Sequence, residues 1–175
     1  MKKIFKFFFY LVLLLFFIIT LLPKESLYNL LEHKLSNEEV IISNEKRDEK
    51  LFVLNVSDAK IYYEGINVAV IDKMSFSTFL FFNNINISNV KVGESLSRMI
   101  PSLIENIDIK YSVLDFKNVK IQSYGSFGEI NGKLDIFAKK IILELKASPI
   151  MKRKYSKLLK QMKLIDGKYI WEKNL

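Results

Sequence analysis

The sequence predicts a mainly β protein, in which an N-terminal transmembrane helix is followed by an antiparallel β-meander domain with short covering helices. Three features predict this fold. The stretch 7–22 is apolar and uncharged, and region 40–146 contains short runs of β-branched and aromatic residues separated by Asn, Asp, Ser and Gly. Residues 149–175 are basic and carry an apolar stripe at helical spacing.

The composition argues against most enzyme classes. The 175 residues include no Cys and one His, and the net charge is +8. Thiol nucleophiles, disulfides, structural zinc sites and metal sites that need several imidazoles are therefore excluded or disfavoured. No phosphate-binding glycine loop or nucleophile elbow occurs. We expect no enzyme, no catalytic or metal-binding residue and no cofactor, and we expect Asp108, Asp115, Glu38 and Glu39 to be solvated surface carboxylates.

Residues 4–22 are predicted to form a membrane anchor. As a helix, the segment 4–22 would rise about 28 Å, which is close to the ~30 Å thickness of the hydrocarbon layer. Lys2, Lys3 and Lys6 lie in the stub 1–6, so the positive-inside rule places the N-terminus in the cytoplasm. The alternative is a cleaved signal peptide, but the first Ala is Ala59, and a small-residue cleavage site is missing.

This orientation predicts a location and partners. We expect a single-pass protein of the bacterial inner membrane, with most of the chain in the periplasm. The expected partners are membrane lipids, through the anchor, and other envelope proteins. Direct nucleic-acid binding is not expected, because Asn and Ser rather than Lys and Arg surround the aromatic run 76–82. No small-molecule substrate is expected.

The segment 23–36 is predicted to form a juxtamembrane helix from about residue 25 to 35. Four leucines recur at helical spacing, with Ser26 as a candidate cap. These are Leu27, Leu30, Leu31 and Leu35. The helix should lie on the outer membrane surface or pack on the next domain, with His33 solvated on its polar face.

Residues 37–148 are predicted to form a β-rich domain of six to nine strands. Residues 85–92 and 107–113 alternate strictly, which indicates one buried and one wet face. Asn131-Gly132 is either a tight hairpin turn or a break within one strand. A helix over 94–106, kinked at or beginning near Pro101, should cover one open face or end of the sheet. The aromatics Phe76, Phe79, Phe81 and Phe82 are expected in the core, with a lipid or peptide groove as the alternative.

Residues 149–175 are predicted to form a basic amphipathic helix and a final strand. An apolar stripe from Met151 to Ile165 indicates a helix of about 15 residues, which Asp166-Gly167 ends before a strand over 168–172. The basic residues form a candidate docking surface for anionic lipid or an acidic partner, and the alternative is a solvated capping helix. They are Lys152, Arg153, Lys154, Lys157, Lys160 and Lys163.

The order of these segments resembles a known family. A basic stub, one span, Leu22-Pro23 at its exit, and the passages 62–65 (YYEG) and 124–134 (YGSFGEINGKL) are similar to the type II secretion protein N family. The small bitopic inner-membrane proteins of bacterial transformation (competence) systems look similar. The resemblance implies an inner-membrane component of a secretion, pilus-like or DNA-uptake machine, and it implies no catalytic residues.

Two functions follow from these expectations. The first is a structural and interaction component, whose periplasmic β domain docks other envelope proteins. The alternative is a membrane-anchored periplasmic β-sheet protein that handles lipid or lipopolysaccharide. A carrier needs a continuous apolar trough that is open to solvent, whereas a scaffold has a filled core.

Overall fold

The computed structural model describes residues 2–20, 23–79 and 81–175. Residues 1, 21 and 22 of the predicted stub and anchor, and residue 80 of the aromatic run, lie outside the described residues. The helices are α1 (Lys2–Thr20), α2 (Lys24–Asn37), α3 (Glu94–Ser97), α4 (Pro149–Lys154) and α5 (Ser156–Leu159), with a 3-10 turn at Val113–Asp115.

The described residues contain one antiparallel sheet of 11 strands, which confirms the mainly β prediction. Nine of these strands lie within residues 37–148, where six to nine were expected, and two lie within 149–175. The strands are β1 (Val40–Ser43), β2 (Lys46–Glu49), β3 (Val53–Tyr63), β4 (Ile66–Thr78), β5 (Phe82–Val92), β6 (Leu103–Ser112), β7 (Asn118–Gly125), β8 (Gly128–Asp135), β9 (Lys140–Ala147), β10 (Lys163–Ile165) and β11 (Lys168–Asn174). Their spatial order is β1-β3-β4-β5-β6-β7-β8-β9-β11-β10, and β2 also pairs with β3.

The strand register separates an apolar from a polar face. Residues directly opposite each other on neighbouring strands point to the same side of a sheet. Ile109 lies opposite Ile85 and Ile121. The preceding residue, Asp108, lies opposite Asn86 and Gln122 instead. The predicted alternation in β5 and β6 therefore extends across the central strands.

Two buried clusters lie at opposite ends of the strand order. Helix α2 contributes Tyr28 to the first cluster, which contains Leu54, Val56, Ala59, Ile71, Met74 and Val90 from β3 to β5. Helices α4 and α5 and the Tyr155 between them contribute three residues to the second, which consists of Phe127, Leu145, Met151, Tyr155 and Leu159. The covering helices thus protect the two sides of the apolar face and not its middle.

Helix α2 matches the predicted juxtamembrane helix, but it packs through other residues than expected. Lys24 and Tyr28 are its buried side chains, whereas Leu27, Leu30 and Leu31 are exposed. The prediction of Ser26 as the cap is wrong, because Pro23 is the N-cap and no side chain caps the helix. His33 is exposed, as expected.

The helix predicted over 94–106 is wrong for most of its length. Only Glu94–Ser97 is helical, and β6 begins at Leu103. Proline removes a backbone donor and disfavours a helical conformation before it. Pro101 therefore separates α3 from β6, and Ile104 and Ile107 belong to the strand instead of a helical stripe.

The C-terminal helix of about 15 residues is also wrong. The chain forms α4 and α5, which Tyr155 separates with a non-helical backbone, and then β10 and β11. Ser148 caps α4 by accepting a hydrogen bond from the Met151 N–H at 3.0 Å. Residues 163–165 pair with β11, so Ile165 ends a strand and not a helix.

Two further expectations are decided by the register. β8 runs continuously through Asn131 and Gly132, so this pair is no hairpin turn. Phe76 packs partly buried on the first cluster. The core assignment of Phe79, Phe81 and Phe82 is wrong, because all three are exposed where β4 ends and β5 begins.

Helix α1 exposes its apolar side chains from Ile4 to Ile18. Within residues 2–20, 23–79 and 81–175, no helix is both long and apolar enough to cross a membrane. The anchor over 4–22 is therefore not supported by the structure. Its last two residues lie outside the described residues, and the anchor stays a prediction.

Candidate functional site

The apolar face of the sheet forms an open trough whose floor consists of two rows of residues. Each row runs across eight strands from β3 to β11 in direct register. The first row is Leu54, Phe76, Ile85, Ile109, Ile121, Gly132, Leu143 and Trp171. The second row is Val56, Met74, Ile87, Ile107, Ser123, Ile130, Leu145 and Tyr169. An apolar floor is therefore continuous between the two buried clusters.

The trough contains an apolar pocket of about 380 Å³ between the central strands and helices α4 and α5. Its lining is almost entirely aliphatic, with one hydroxyl. The lining residues are Ile100, Pro101, Ile104, Ile107, Ile121, Ser123, Phe127, Ile130, Ile141, Leu143, Leu145, Met151, Leu158 and Met162. This volume lies within the range of ~300–1,000 Å³ that is typical of ligand pockets.

The one hydroxyl in this lining is already used. Ser123 donates from Oγ to the Asn106 carbonyl oxygen at 2.9 Å, which lies in the same sheet. Gly132 contributes no side chain, and a Cβ there would lie 2.6 Å from Leu143 Cδ2. The pocket therefore offers a ligand dispersion and burial of apolar surface, without a free polar group of its own.

The wall on one side is fixed by α4 and α5. Tyr155 donates from its hydroxyl to the Ser97 carbonyl oxygen at 3.2 Å, which ties this wall to α3. Ser148 donates from Oγ to the Ser126 carbonyl oxygen at 2.7 Å. Met151 is almost fully buried beneath the wall. These contacts fix the position of the wall relative to α3 and the β7–β8 turn.

A second apolar pocket of about 200 Å³ lies under α2. Leu27, Tyr28, Leu31, Phe76 and Ile85 contribute to its lining. The Tyr28 and Phe76 rings meet edge to face at a centroid separation of 5.5 Å. Since Ile85 also belongs to the first floor row, this pocket is continuous with the trough.

Arg47 attaches α2 to the sheet. Its guanidinium lies 4.6 Å from the centre of the Tyr28 ring. It donates to Asn29 Oδ1 at 2.6 Å and to Glu32 Oε2 at 2.7 Å on α2, and to Glu45 Oε1 at 2.5 Å. Arg47 lies opposite Val56 in the β2–β3 register, so this charged group approaches α2 from the apolar face.

The surroundings of Arg47 shift two pKa values. Burial raises the pKa of Tyr28 well above its usual range, and the charges of Glu32 and Glu45 add to this, so Tyr28 keeps its proton. Burial acts to raise the pKa of Glu45, but the hydrogen bond and charge of Arg47 outweigh it. The net effect lowers the pKa of Glu45, which is ionised at neutral pH.

The opposite face carries a hydrogen-bonded polar network in the middle of the sheet. Asn86 donates from Nδ2 to Asn106 Oδ1 and to Asp108 Oδ1, both at 2.9 Å. Asn106 donates from Nδ2 to Asp108 Oδ2 at 2.8 Å. Ser88 donates from Oγ to Asn86 Oδ1 at 3.0 Å. This network satisfies the polar side chains without a ligand.

The sequence-predicted site residues lie at two places away from the trough floor. Lys2, Lys3 and Lys6 are exposed on α1. Five of the six basic docking residues are exposed on or just after α4 and α5, namely Lys152, Arg153, Lys154, Lys157 and Lys160. Lys163 lies in β10 and pairs with Glu172 at 3.3 Å instead. The predicted docking surface therefore does not form one helix face.

The carboxylates considered in the sequence have separate surroundings. Asp108 belongs to the polar network, whereas Asp115 accepts a hydrogen bond from Asn118 Nδ2 at 2.5 Å. Glu38 and Glu39 are exposed after α2. Among the described residues, no group of three or more His, Cys, Asp and Glu could hold a metal ion.

The trough residues are not among the sequence-predicted site residues, and the signal for them in the sequence is the alternation of apolar and polar residues. Strands β5 to β9 carry apolar residues at alternate positions, interrupted by Ser123 and Gly132, and this alternation predicts an apolar face but not what covers it. Comparison with known proteins adds no assignment: no protein-family model, no curated protein and no solved structure matches this chain.

Proposed function

We propose that this protein is a membrane-anchored lipid-handling protein whose trough holds an acyl chain. The observation that carries the proposal is the continuous apolar floor, with a pocket of about 380 Å³ that no side chain fills. A scaffold domain would close this space with its own side chains, because protein cores are packed nearly without voids.

The chemistry of the lining favours a hydrocarbon chain over a polar metabolite. Binding pockets for polar ligands place a few polar groups to fix orientation. Here Ser123 is bonded to the Asn106 carbonyl, and the rest of the lining is apolar. Each methylene group of a chain gains about 0.8 kcal/mol when it leaves water for such a surface.

The length of the trough suits one acyl chain. Ile141 and Ile104 both line the pocket, and Ile104 lies at the level of Ala147 in the register. The six residue-to-residue steps from Ile141 to Ala147 in β9 correspond to about 20 Å at ~3.3 Å per step. An acyl chain in one leaflet spans about 15 Å, or half of the ~30 Å hydrocarbon layer.

Attachment to the membrane is the second part of the proposal. Helix α1 exposes apolar side chains from Ile4 to Ile18, a surface that lipid would cover. Lys2, Lys3 and Lys6 at its start favour a cytoplasmic N-terminus and a periplasmic sheet domain in the inner membrane. The anchor keeps the trough close to its lipid source.

Photocrosslinking tests the trough directly. The full chain is reconstituted in vesicles that contain a phospholipid with a diazirine on its acyl chain, and crosslinked peptides are mapped by mass spectrometry. We expect crosslinks at Ile107, Ile121 and Leu143. Ile121→Trp should fill the pocket and remove most of them, whereas Gln122→Trp, on the opposite face of the same strand, should leave them unchanged.

Crosslinks confined to α1 would contradict the proposal, because the trough would then hold no lipid. Equal loss of trough crosslinks in Ile121→Trp and Gln122→Trp would also contradict it, since a general effect of the bulky ring would explain both. Circular dichroism of each variant checks that the sheet is retained.

A second candidate function is a docking component of an envelope machine, as the resemblance to the type II secretion protein N family suggests. The exposed basic group on α4 and α5 supports it, because Lys152, Arg153 and Lys157 point into solvent. Changing Lys154, Lys157 and Lys160 to Glu should then abolish association with copurifying proteins while trough crosslinking persists. Unchanged copurification at low salt would exclude this candidate.

A further inference from the structure

One end of the sheet carries an apolar rim that the trough alone does not explain. In a meander, alternate connections lie at the same end of the sheet, and here four connections at one end expose large apolar side chains. The connections β2–β3, β4–β5, β6–β7 and β8–β9 form this apolar rim. Its most exposed members are Leu51, Phe81, Leu114 and Phe137, and Leu114 is 81% exposed.

The rim is continuous and ordered. The Phe52 and Phe79 rings stack at a centroid separation of 5.4 Å, and Phe116 and Phe137 meet edge to face at 5.9 Å. A backbone hydrogen bond joins the β6–β7 connection to the β4–β5 connection, because the Val113 N–H donates to the Phe81 carbonyl oxygen at 3.0 Å. The exposed apolar side chains are therefore held together as one surface and are not tips of independent loops.

Helix α1 reaches the sheet at this same end. The Phe16 ring lies 6.4 Å from the Phe52 ring of the rim. The backbone N–H of Lys24, the first residue of α2, donates to Glu49 Oε1 at 2.8 Å, just before the β2–β3 connection. The apolar surface of α1 and the apolar rim are thus continuous, and both would enter the same lipid phase.

The charges around the rim suit an anionic surface. Three lysines, Lys50, Lys117 and Lys139, lie in its connections, where Asp115 is the one carboxylate, and Glu49 and Asp135 end the adjoining strands. Lys50 pairs with Asp48 at 3.5 Å. A further row of lysines lies two residues behind the strand ends on the polar face. In this row Lys110, Lys120 and Lys133 are directly opposite one another on β6, β7 and β8. A lysine near an anionic membrane is attracted to its surface.

The other end of the sheet has a different character. Its tight turns in the described part of the chain are Glu64-Gly65, Ser126-Phe127 and Asp166-Gly167, and Phe127 is buried. Met99, in the connection from α3 to β6, is 67% exposed there, and Ile66 and Ile165 beside the turns are 56% and 49% exposed. Within the described residues, ring contacts join neighbouring connections at the rim and not at this other end.

We propose that the apolar rim docks onto the surface of a bilayer that contains anionic lipid, so that the near end of the trough opens directly into the lipid. This inference rests on the proposed function, because the trough needs a route for an acyl chain. Val119, Leu134 and Ile141 form an apolar register row between the trough floor and the rim. A chain that moves from the rim to the floor crosses this row and meets no polar side chain in it.

Single-cysteine labelling tests the docking. The chain contains no Cys, so Phe137→Cys and Met99→Cys each give one site for an environment-sensitive fluorophore, and both native side chains are 67% exposed. The full chain is reconstituted in vesicles of phosphatidylcholine with or without phosphatidylglycerol. We expect a shift to shorter wavelength, and quenching by brominated acyl chains, at residue 137 but not at residue 99. The shift should grow with phosphatidylglycerol and shrink at high salt.

Leu114→Cys repeats the measurement at a second rim position in case Phe137 is needed for folding. If the labels at 114 and 137 respond to the vesicles no more than the label at 99, the proposal is wrong. A rim that binds another protein and not the bilayer would give this result. The outcome is independent of the trough. If the trough is crosslinked but the rim labels do not respond, only the docking proposal is wrong. If the rim labels respond but the trough is not crosslinked, the proposed function is wrong.

Discussion

The same strands form both faces of the sheet, but their side chains differ in polarity from one residue to the next. In β9, Leu143 and Leu145 point into the trough, whereas Glu144 points to the opposite face and pairs with Lys168 at 2.9 Å. On the polar face, the Asn86, Asn106 and Asp108 side chains bond to one another, as in the Asn86–Asp108 hydrogen bond of 2.9 Å. On the apolar face, Ile107 and Ile130 pack against the two clusters at their sides, and a pocket of about 380 Å³ lies over the middle of the floor.

This difference teaches where a ligand is needed. A polar face is complete when water and neighbouring side chains satisfy its groups. An apolar face is shielded from water only when apolar groups cover it, and α2, α4 and α5 cover only its two sides. The incomplete part of the molecule is therefore the central trough, and variants on the two faces should respond differently.

The largest difference is expected between Leu145→Asn and Glu144→Asn. Leu145 is 3% exposed in the second cluster, so its replacement removes apolar burial and buries an amide. We expect a loss of about 4 kcal/mol in the free energy of unfolding. Glu144→Asn removes a surface ion pair and should cost less than about 1 kcal/mol.

Urea unfolding of the full chain in mild detergent, followed by Trp171 fluorescence, measures both variants. Trp171 lies opposite Leu143 in the register and reports on the same part of the sheet. Similar losses at residues 144 and 145 would contradict the assignment of the two faces.

Arg47→Ala and Lys46→Ala extend the comparison to adjacent residues of β2. Arg47 is bonded to Glu32 and Glu45 beneath α2, so its removal leaves two poorly solvated carboxylates without a partner. We expect a loss of about 2 kcal/mol in unfolding free energy. Lys46 forms an exposed pair with Asp58 at 3.0 Å, and its removal should change stability by less than about 0.5 kcal/mol.

Limited proteolysis tests the difference between Arg47→Ala and Lys46→Ala independently of stability. If Arg47 holds α2 on the sheet, limited trypsin digestion should cut within α2 of Arg47→Ala, for example after Lys34, faster than in Lys46→Ala. Equal cleavage rates would show that Arg47 does not hold α2.

Much of the fold could be predicted from the sequence, because burial on one face imposes a period of two. Residues 107–113 alternate strictly, and all but the last of them lie in β6. The secondary-structure prediction was wrong where the same apolar residues fit both the helical and the strand period. Leu103 and Ile104 continue a helical spacing from Leu96, but they also begin a strand, and Pro101 decides between the two.

The candidate site could not be predicted, because it depends on register and on what covers each row. Phe79 and Phe81 look like core residues by type, but their placement at a strand connection exposes them. The strand β2 was missed because its sequence, KRDE, contains no apolar residue. Local patterns give the two faces, whereas the open centre of one face follows only from the position of the helices.

Acid should weaken the attachment of α2, by less than Arg47→Ala does. The pKa of Glu45 is lowered in the folded state from its usual 4.5, despite the opposing effect of burial, because Arg47 stabilises the charge. A lowered folded pKa contributes stability above 4.5, and this is lost as the pH falls through the folded value. Unfolding free energy should therefore fall below pH 4.5, and Glu45→Gln should flatten this part of the profile. An unchanged profile in Glu45→Gln would contradict the role of this pair.

Gly132→Ala and Asn131→Ala should differ by a smaller amount. A Cβ at residue 132 would lie 2.6 Å from Leu143 Cδ2 and 3.1 Å from Ile121 Cβ, so the floor must shift. We expect a loss of about 1 kcal/mol from overpacking, together with fewer acyl crosslinks. Asn131 is exposed on the other face, and its replacement should leave both quantities unchanged. Higher stability with undiminished crosslinks in Gly132→Ala would show that the floor is not tightly packed.

The smallest effect is expected on the polar face, at the row of Lys110, Lys120 and Lys133. Like charges directly opposite each other on neighbouring strands repel, so Lys133→Gln should stabilise the isolated protein by about 0.3 kcal/mol at low salt. The gain should disappear at high salt, because exposed charges are screened. Urea unfolding at low and high salt measures this, with Lys168→Gln as a control that removes a lysine paired with Glu144. A gain for Lys133→Gln that persists at high salt would assign the effect to strand packing and not to charge.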